Sequence, residues 1–291
     1  MDAVARKPMG GTELMVAGLQ RYLGDELDRV TIGVNCLPRE RDRPIICWLH
    51  HDYNQPAVQW LRDASAAALV DAFVFVSHWQ RERYQLAFRL PHEKCHVLYN
   101  AVEFRGWPDE PRSGRRYAYT STPFRGLDVL LDAWEMADMS PDAELHVWSS
   151  MALYGQQEGP YEALYDRARA LPGVRYHGYE SNADVRNSLF GMDYLVYPAT
   201  WEETSCLSVI EGLVAGCRVI CPEYGALPET TMRMATTYPW IPDKQAHARK
   251  FAGLLQSVPP LETPAQAKFA TEVYAWPERA PEWRRLIASL T

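Results

Sequence analysis

Two glutamates, Glu203 and Glu211, stand with seven residues between them where an apolar run ending Leu195-Val196-Tyr197-Pro198 gives way to a helical pattern. Glu203 falls at the strand-to-helix turn, and Glu211 two turns into the helix among apolar neighbours. A helix N-terminus offers free N–H groups and the positive end of a dipole, which suits a phosphate. A carboxylate there can accept hydrogen bonds from a pair of sugar hydroxyls. The same spacing also fits a first-turn charge followed by a solvated surface residue. A second group, Cys47-Trp48-Leu49-His50-His51-Asp52, closes another apolar run. A strand-end histidine alone reads as a half-buried structural ring, and Asp52 could orient either imidazole. A third group, Gly10-Gly11-Thr12-Glu13, precedes an amphipathic run. Glycines let the backbone approach a phosphate or sugar closely, and a plain helix start has the same composition.

The elements around these groups alternate. Leu14, Met15, Ala17, Gly18, Leu19, Tyr22 and Leu23 have helical spacing, with Thr12 as N-cap and Gly24 as the stop. Short apolar runs at 30–34, 45–49, 72–76 and 96–99 read as strands of a sheet covered on both faces. Helical stretches at 58–69 and 79–88 lie between them. Residues 105–116, rich in Pro, Gly and charge, read as a linker. The alternation then restarts, with strands at 117–121, 145–148, 174–177, 193–197 and 218–221. The intervening helices fall at 127–134, 161–171, 182–190 and 206–215. The tail from 243 reads as helical, broken near Pro259-Pro260 and ending at 277–290. This pattern predicts two α/β domains with mostly parallel sheets and a ligand cleft between them.

Composition narrows the class further. The 291 residues are 47% hydrophobic and 23% charged, enough for a large core without staples. No apolar run approaches the ~18 residues of a membrane span, and the first eight residues lack a signal-peptide core. Six cysteines without a CxxC pair read as reduced, mostly buried thiols of a cytoplasmic protein, with neither a zinc site nor a disulfide scaffold. The net charge of −7 argues against coating nucleic acid or anionic lipid. All of it lies after residue 106, so the first domain is the less acidic one and would hold the acceptor. Its arginines (39, 41, 43, 81, 83 and 89) could meet a polyanionic acceptor or be solvated and paired with Glu40, Asp42 and Glu82.

The longer string, Tyr197-Pro198, Glu203, Val209-Ile210-Glu211-Gly212-Leu213-Val214-Ala215-Gly216-Cys217-Arg218-Val219-Ile220 and Gly225-Ala226-Leu227-Pro228-Glu229, resembles the nucleotide-sugar site of retaining GT-B glycosyltransferases of family 4. Arg125-Gly126 through Trp134 resembles that family's K-G-x-x-x-L-L-x-A segment. His177-Gly178-Tyr179 with Leu189 to Asp193, and Tyr274-Ala275-Trp276, resemble two more of its stretches. Gly10-Gly11-Thr12-Glu13 is similar to its G-G-x-E loop, and His50 aligns with its active-site histidine, with His51 as the competitor. There are departures. The family opens on an apolar strand before the glycine loop, where this chain has about nine residues. The Gly-Arg pair before K-G is replaced by Tyr119-Thr120-Ser121-Thr122-Pro123. The Gly-Phe-Gly after the first glutamate is replaced by Thr204-Ser205-Cys206.

The resemblance implies a GT-B fold of two Rossmann-like domains with mostly parallel sheets facing a central cleft, the first reduced. It divides the chain into an acceptor-side domain (1–106), a nucleotide-sugar-binding domain (107–275) and a C-terminal helix (276–291) packing back on the first. It implies a retaining, metal-independent hexosyl- or pentosyltransferase using a nucleotide diphosphate-sugar as donor, with no further cofactor. His50, Glu203 and Arg125 would be catalytic, with Arg125 meeting the pyrophosphate through paired N–H donors. Gly10, Gly11, Thr204, Ser205, Cys206, Leu207, Glu211, Tyr179 and His51 would bind substrate, Glu211 on the ribose and Tyr179 near the base. The absence of an Asp-x-Asp pair fits a metal-free donor site. The acceptor stays open: glycan, lipid, small molecule, protein or modified nucleic acid. The rival readings are a non-catalytic nucleotide-sugar-binding protein and a GT-B epimerase or phosphorylase.

Overall fold

The computed structural model describes residues 9–104, 115–139, 142–152, 155–259 and 265–291. The first half runs α1 (Gly11–Leu23), β1 (Thr31–Val34), β2 (Ile45–Leu49), α2 (Ala64–Ala68), β3 (Ala72–Phe75), α3 (His78–Phe88) and β4 (Cys95–Val97). Among the described residues its strands form one sheet in the order β1-β2-β3-β4, with every neighbouring pair parallel. Every residue of β2 and β3 is buried. That burial explains the unbroken apolar runs Ile-Ile-Cys-Trp-Leu and Ala-Phe-Val-Phe, since a parallel sheet is covered on both faces. Met15, Leu19, Ile46 and Trp48 pack on one face, and Cys47, Leu49, Phe73 and Tyr84 on the other.

The second half runs β5 (Arg116–Thr120), α4 (Leu127–Ala137), β6 (Glu144–Trp148), α5 (Glu162–Ala170), β7 (Val174–Tyr176), α6 (Asn182–Leu189) and β8 (Tyr194–Val196). It continues through α7 (Leu207–Val214), β9 (Arg218–Glu223), α8 (Leu227–Thr230), β10 (Thr236–Pro239), α9 (Lys244–Ser257), α10 (Ala265–Tyr274) and α11 (Trp276–Leu290). Its sheet has the order β10-β9-β8-β5-β6-β7 and is parallel throughout. The winding reverses between β5 and β8. A crevice opens at the carboxyl ends of the strands at such a switch point, where ligands bind in open α/β sheets.

The last helix, α11, belongs to the core of the first half: Trp276, Trp283, Leu286 and Ile287 pack there with α1. Gly18 of α1 makes the contact possible, because a Cβ at that position would lie 2.3 Å from the Trp276 ring. Backbone bonds from Val102 N–H to the Tyr274 carbonyl (2.8 Å) and from Trp276 N–H to the Val102 carbonyl (3.3 Å) guide the chain across.

Three expectations need correction. Thr12 is not the N-cap of α1: the helix starts at Gly11 with Gly10 as its cap, so Thr12 already lies inside the first turn. The single helix at 58–69 is instead a 3-10 turn, Pro56–Arg62, followed by the short α2. The reason is Asp63, whose carboxylate accepts the N–H groups of Ser65 and Ala66 and so starts a new helix where the pattern suggested continuity. Neither β10 nor α8 was expected. β10 is an edge strand of Thr-Thr-Tyr-Pro in which Tyr238 alone is buried, so it carries no apolar run to see. The linker, apart from its last two residues, and the boundary at 106 fall within 105–114, and Pro260 of the tail break within 260–264; both stretches lie outside the described residues, as do the first eight residues.

Candidate active site

The carboxyl ends of the two sheets face one another across a cleft of about 370 Å³. From the first half, Gly11, Thr12, His50, His51 and Asp52 line it; from the second, Thr120, Thr122, Arg125, Glu203 and Glu211. A side chamber of about 90 Å³ continues past Thr120 and Glu211 to Trp148, Ser149, Gly178, Tyr179 and Glu180.

Arg125 and Glu203 meet directly. The Arg125 guanidinium lies 2.9 and 3.1 Å from the two carboxylate oxygens, and the Tyr197 hydroxyl donates to one of them at 2.5 Å. Glu203 is buried. Burial pushes its carboxyl above the ordinary range, while Arg125 and Tyr197 pull it back. Two glycines make this geometry possible. Gly126 has φ +124° and sits so close to the Pro198 carbonyl that a Cβ would lie 2.2 Å away. Gly225 has φ +59°, and a Cβ there would lie 2.5 Å from the Glu203 carbonyl, which accepts the Ala226 N–H at 2.7 Å. The Arg-Gly and Gly-Ala-Leu-Pro motifs are therefore the two walls that aim Arg125 at Glu203. The sequence suggested separate roles on phosphate and sugar for these two side chains, and the structure couples them.

Glu211 is not a solvated helix charge. Its side chain is 12% exposed and faces Arg186 of α6 at 3.6 Å. Burial raises its carboxyl above the usual range, and Arg186 offsets part of the rise. It stands where the cleft meets the side chamber. Arg186 escaped the sequence reading, since one arginine in an otherwise ordinary surface helix carries no signal of its own.

His50 and His51 both border the cleft. Their backbone N–H groups share the Asn35 side-chain oxygen, at 2.7 and 3.0 Å. The His50 ring packs on Trp48 with centroids 4.5 Å apart, and its Nε2 is buried without a hydrogen-bond partner. Burial, helped by His51, pushes the His50 imidazole down to about 3. Burial also lowers His51, with Glu13 opposing. Asp52 orients neither ring; one of its oxygens accepts the Tyr53 N–H at 2.8 Å. Asn35, not Asp52, sets the backbone of this turn.

The helix starts converge. A Cβ on Gly11, at the start of α1, would stand 3.2 Å from Leu207, the first residue of α7. Gly10 is the N-cap of α1 and Cys206 that of α7, neither with a side-chain cap. Ser205 and Cys206 are buried beside the cleft. Thr204 lines the cleft and also bridges the two halves. Its hydroxyl donates to the His50 carbonyl at 2.8 Å, and its own carbonyl accepts from Ser77 at 2.7 Å, so it clasps the two halves together. Tyr179 is 43% exposed on the rim of the side chamber. Of the first-half arginines, Arg43 pairs with Asp42, and Arg83 reaches Glu202 and lies over Trp79.

Two parallel-sheet α/β domains facing across such a cleft define the GT-B architecture. Two family models match in tandem: Glycosyltransferase Family 4 over residues 10–105 and Glycosyl transferases group 1 over residues 115–257. Together they span most of the chain, and its two halves are similar in turn to the two domains of GT-B glycosyltransferases. No protein of curated function matches it in sequence. Among solved structures, the GtfA/B complex is 15% identical with a TM-score of 0.62, covering 86% of this chain and 53% of its own. HepE from Anabaena, in complex with UDP and glucose, is 16% identical with a TM-score of 0.62, over 85% of this chain and 72% of its own. A glycosyltransferase from Rickettsia africae ESF-5 is 12% identical with a TM-score of 0.67, over 97% and 82%. The chain thus spans about half the length of the first of these relatives.

Proposed function

We propose that the chain transfers a sugar from a nucleoside diphosphate-sugar to an acceptor held by the first half, with retention at the anomeric carbon and without a metal. The observation that carries this reading is one cleft in which Arg125, Glu203 and Glu211 of the second sheet's half face His50 of the first, at the meeting of two helix N-termini. The UDP and glucose named with the Anabaena relative support the same class of donor.

In this reading Glu211 accepts the ribose hydroxyls and Glu203 those of the sugar. The bond from the anomeric carbon to phosphate breaks, and negative charge develops on the departing phosphate. Arg125 and the start of α7 stabilise that charge. The acceptor oxygen bonds to the same face, and its proton passes to the leaving phosphate. His50, held neutral by burial, binds the sugar near the reacting carbon and is not the base. A cytoplasmic setting accords with six free cysteines, five of them buried. No helix among the described residues is long and apolar enough to cross a membrane.

Incubation with a set of nucleoside diphosphate-sugars in excess chelator tests the reading. Release of nucleoside diphosphate and an unchanged anomeric configuration in the product are expected. Binding without release would make the chain a binding protein, and isomerised donor without an acceptor would make it an epimerase.

A further inference from the structure

Among the described residues lining the cleft and its side chamber, Arg125 is the one lysine or arginine, and Glu203 already neutralises it. Asp52, Glu180 and Glu211 add carboxylates to the walls, with Arg186 facing only Glu211. A ligand bearing a diphosphate therefore enters a site with no surplus of positive charge. Other donors must meet its oxygens.

Three hydroxyls stand at the carboxyl ends of adjacent strands: Thr120 and Thr122 at the end of β5, and Ser149 just past β6. All three hydroxyl oxygens are buried without a hydrogen-bond partner. Their backbones, by contrast, are tied down. The Thr120 carbonyl accepts from Ser208 at 2.5 Å, that of Thr122 from Tyr119 at 2.8 Å, and that of Ser149 from Tyr176 at 2.7 Å. The side chains of Ser208, Tyr119 and Tyr176 fix each main chain and leave the hydroxyl over. Buried polar atoms are normally satisfied, and an orphan that walls a cleft is one a ligand can relieve. Thr120 and Thr122 border both chambers, where a chain running from sugar to base would pass; Ser149 borders only the inner one.

We propose that the donor diphosphate is held by a neutral hydroxyl cradle, Thr120 and Thr122, with Ser149 on the base side, in place of a cluster of cations. This rests on the donor assignment above and deepens it. Neutral donors hold an anion through short-range dipoles, so binding should respond weakly to ionic strength.

Titration calorimetry with UDP, GDP and ADP in chelator, at about 50 and about 500 mM NaCl, tests it, with the matching nucleosides alongside. The diphosphate that binds should change its Kd by less than about threefold between the two salts. Thr120→Val and Thr122→Val should each weaken it about tenfold or more while leaving the nucleoside within about twofold. Thr122→Ser, which keeps the hydroxyl, should hold wild-type affinity, and melting curves confirm that each variant folds. Undiminished diphosphate affinity in both valine variants overturns the cradle. So does a steep loss of affinity with salt, or binding that appears only when magnesium replaces the chelator. If none of the three diphosphates binds the wild-type protein, the donor assignment itself falls, and the cradle with it.

Discussion

The Glu229 carboxylate, which follows β9, accepts the backbone N–H of His78, the first residue of α3 in the other half of the molecule, at 2.7 Å, and that of Trp79 at 2.9 Å. The next two N–H groups of α3 go to Ser77, one to its hydroxyl and one to its carbonyl. Half of this helix start is thus satisfied from the other half of the molecule, and the Ser77 hydroxyl in turn donates to the Thr204 carbonyl. Glu229→Ala should strip two charge-assisted bonds from the start of α3 and cost about 1–2 kcal/mol. Urea unfolding measures the cost, and X-ray scattering should show a larger radius of gyration as the halves part. An unchanged curve and radius would mean that Thr204 and α11 hold the halves without it.

Glu211→Ala should weaken nucleotide binding by about tenfold or more, the worth of a charged hydrogen bond at roughly 1.5–3 kcal/mol. It should leave the fold intact, because the carboxylate faces Arg186 at 3.6 Å, beyond a good hydrogen bond. Calorimetry against the nucleotide that wild type binds decides this. Normal affinity would make Glu211 a mere partner of Arg186.

His50→Ala should abolish transfer while leaving nucleotide affinity within about threefold, under ~0.7 kcal/mol. His50 lines the cleft from the first half, and Arg125 and Glu211 line it from the second; in the proposed reading the donor sugar lies between them. An interaction made mostly as the bond breaks lowers turnover more than ground-state binding. His51→Ala run in parallel decides the register; if it is the dead variant, the active ring is the neighbour.

Stability should fall on acidification below about pH 6.5. His50 is pushed down to about 3 in the fold, whereas an unfolded histidine titrates near 6.5. The unfolded chain binds the extra proton between those values, so the contribution of this ring is fully present above the upper value and is lost as pH falls toward the lower. At pH 5 the loss from His50 reaches up to about 2 kcal/mol. His51, His96, His146, His177 and His247 are lowered by burial as well and act with the same sign. Glu203 and Glu211, raised by burial, act oppositely and lose stability as pH climbs past the ordinary carboxylate value. Denaturant midpoints across this range should drop toward acid, and His50→Gln should flatten the drop. A flat wild-type profile would mean that the carboxylates cancel the imidazoles.

The residues alone carried the alternation of strands and helices, because a strand buried on both faces must be apolar throughout, as Ile45–Leu49 and Ala72–Phe75 are. They also carried the spacing of Glu203 and Glu211, since a strand-to-helix turn is a local event. Local propensity could not show that Asp63 would restart a helix, or that polar Thr236–Pro239 would pair along an edge. It was silent, too, on pairings between distant segments. Arg125 lies on Glu203, Arg186 faces Glu211, Thr204 is spent on the His50 carbonyl, and Asn35 shapes the histidine turn. Each of these joins residues from separate segments of the chain, two by side-chain pairs and two by side chain to backbone. Their distance depends on how two sheets twist and close on one another, and no short-range pattern in a chain encodes that.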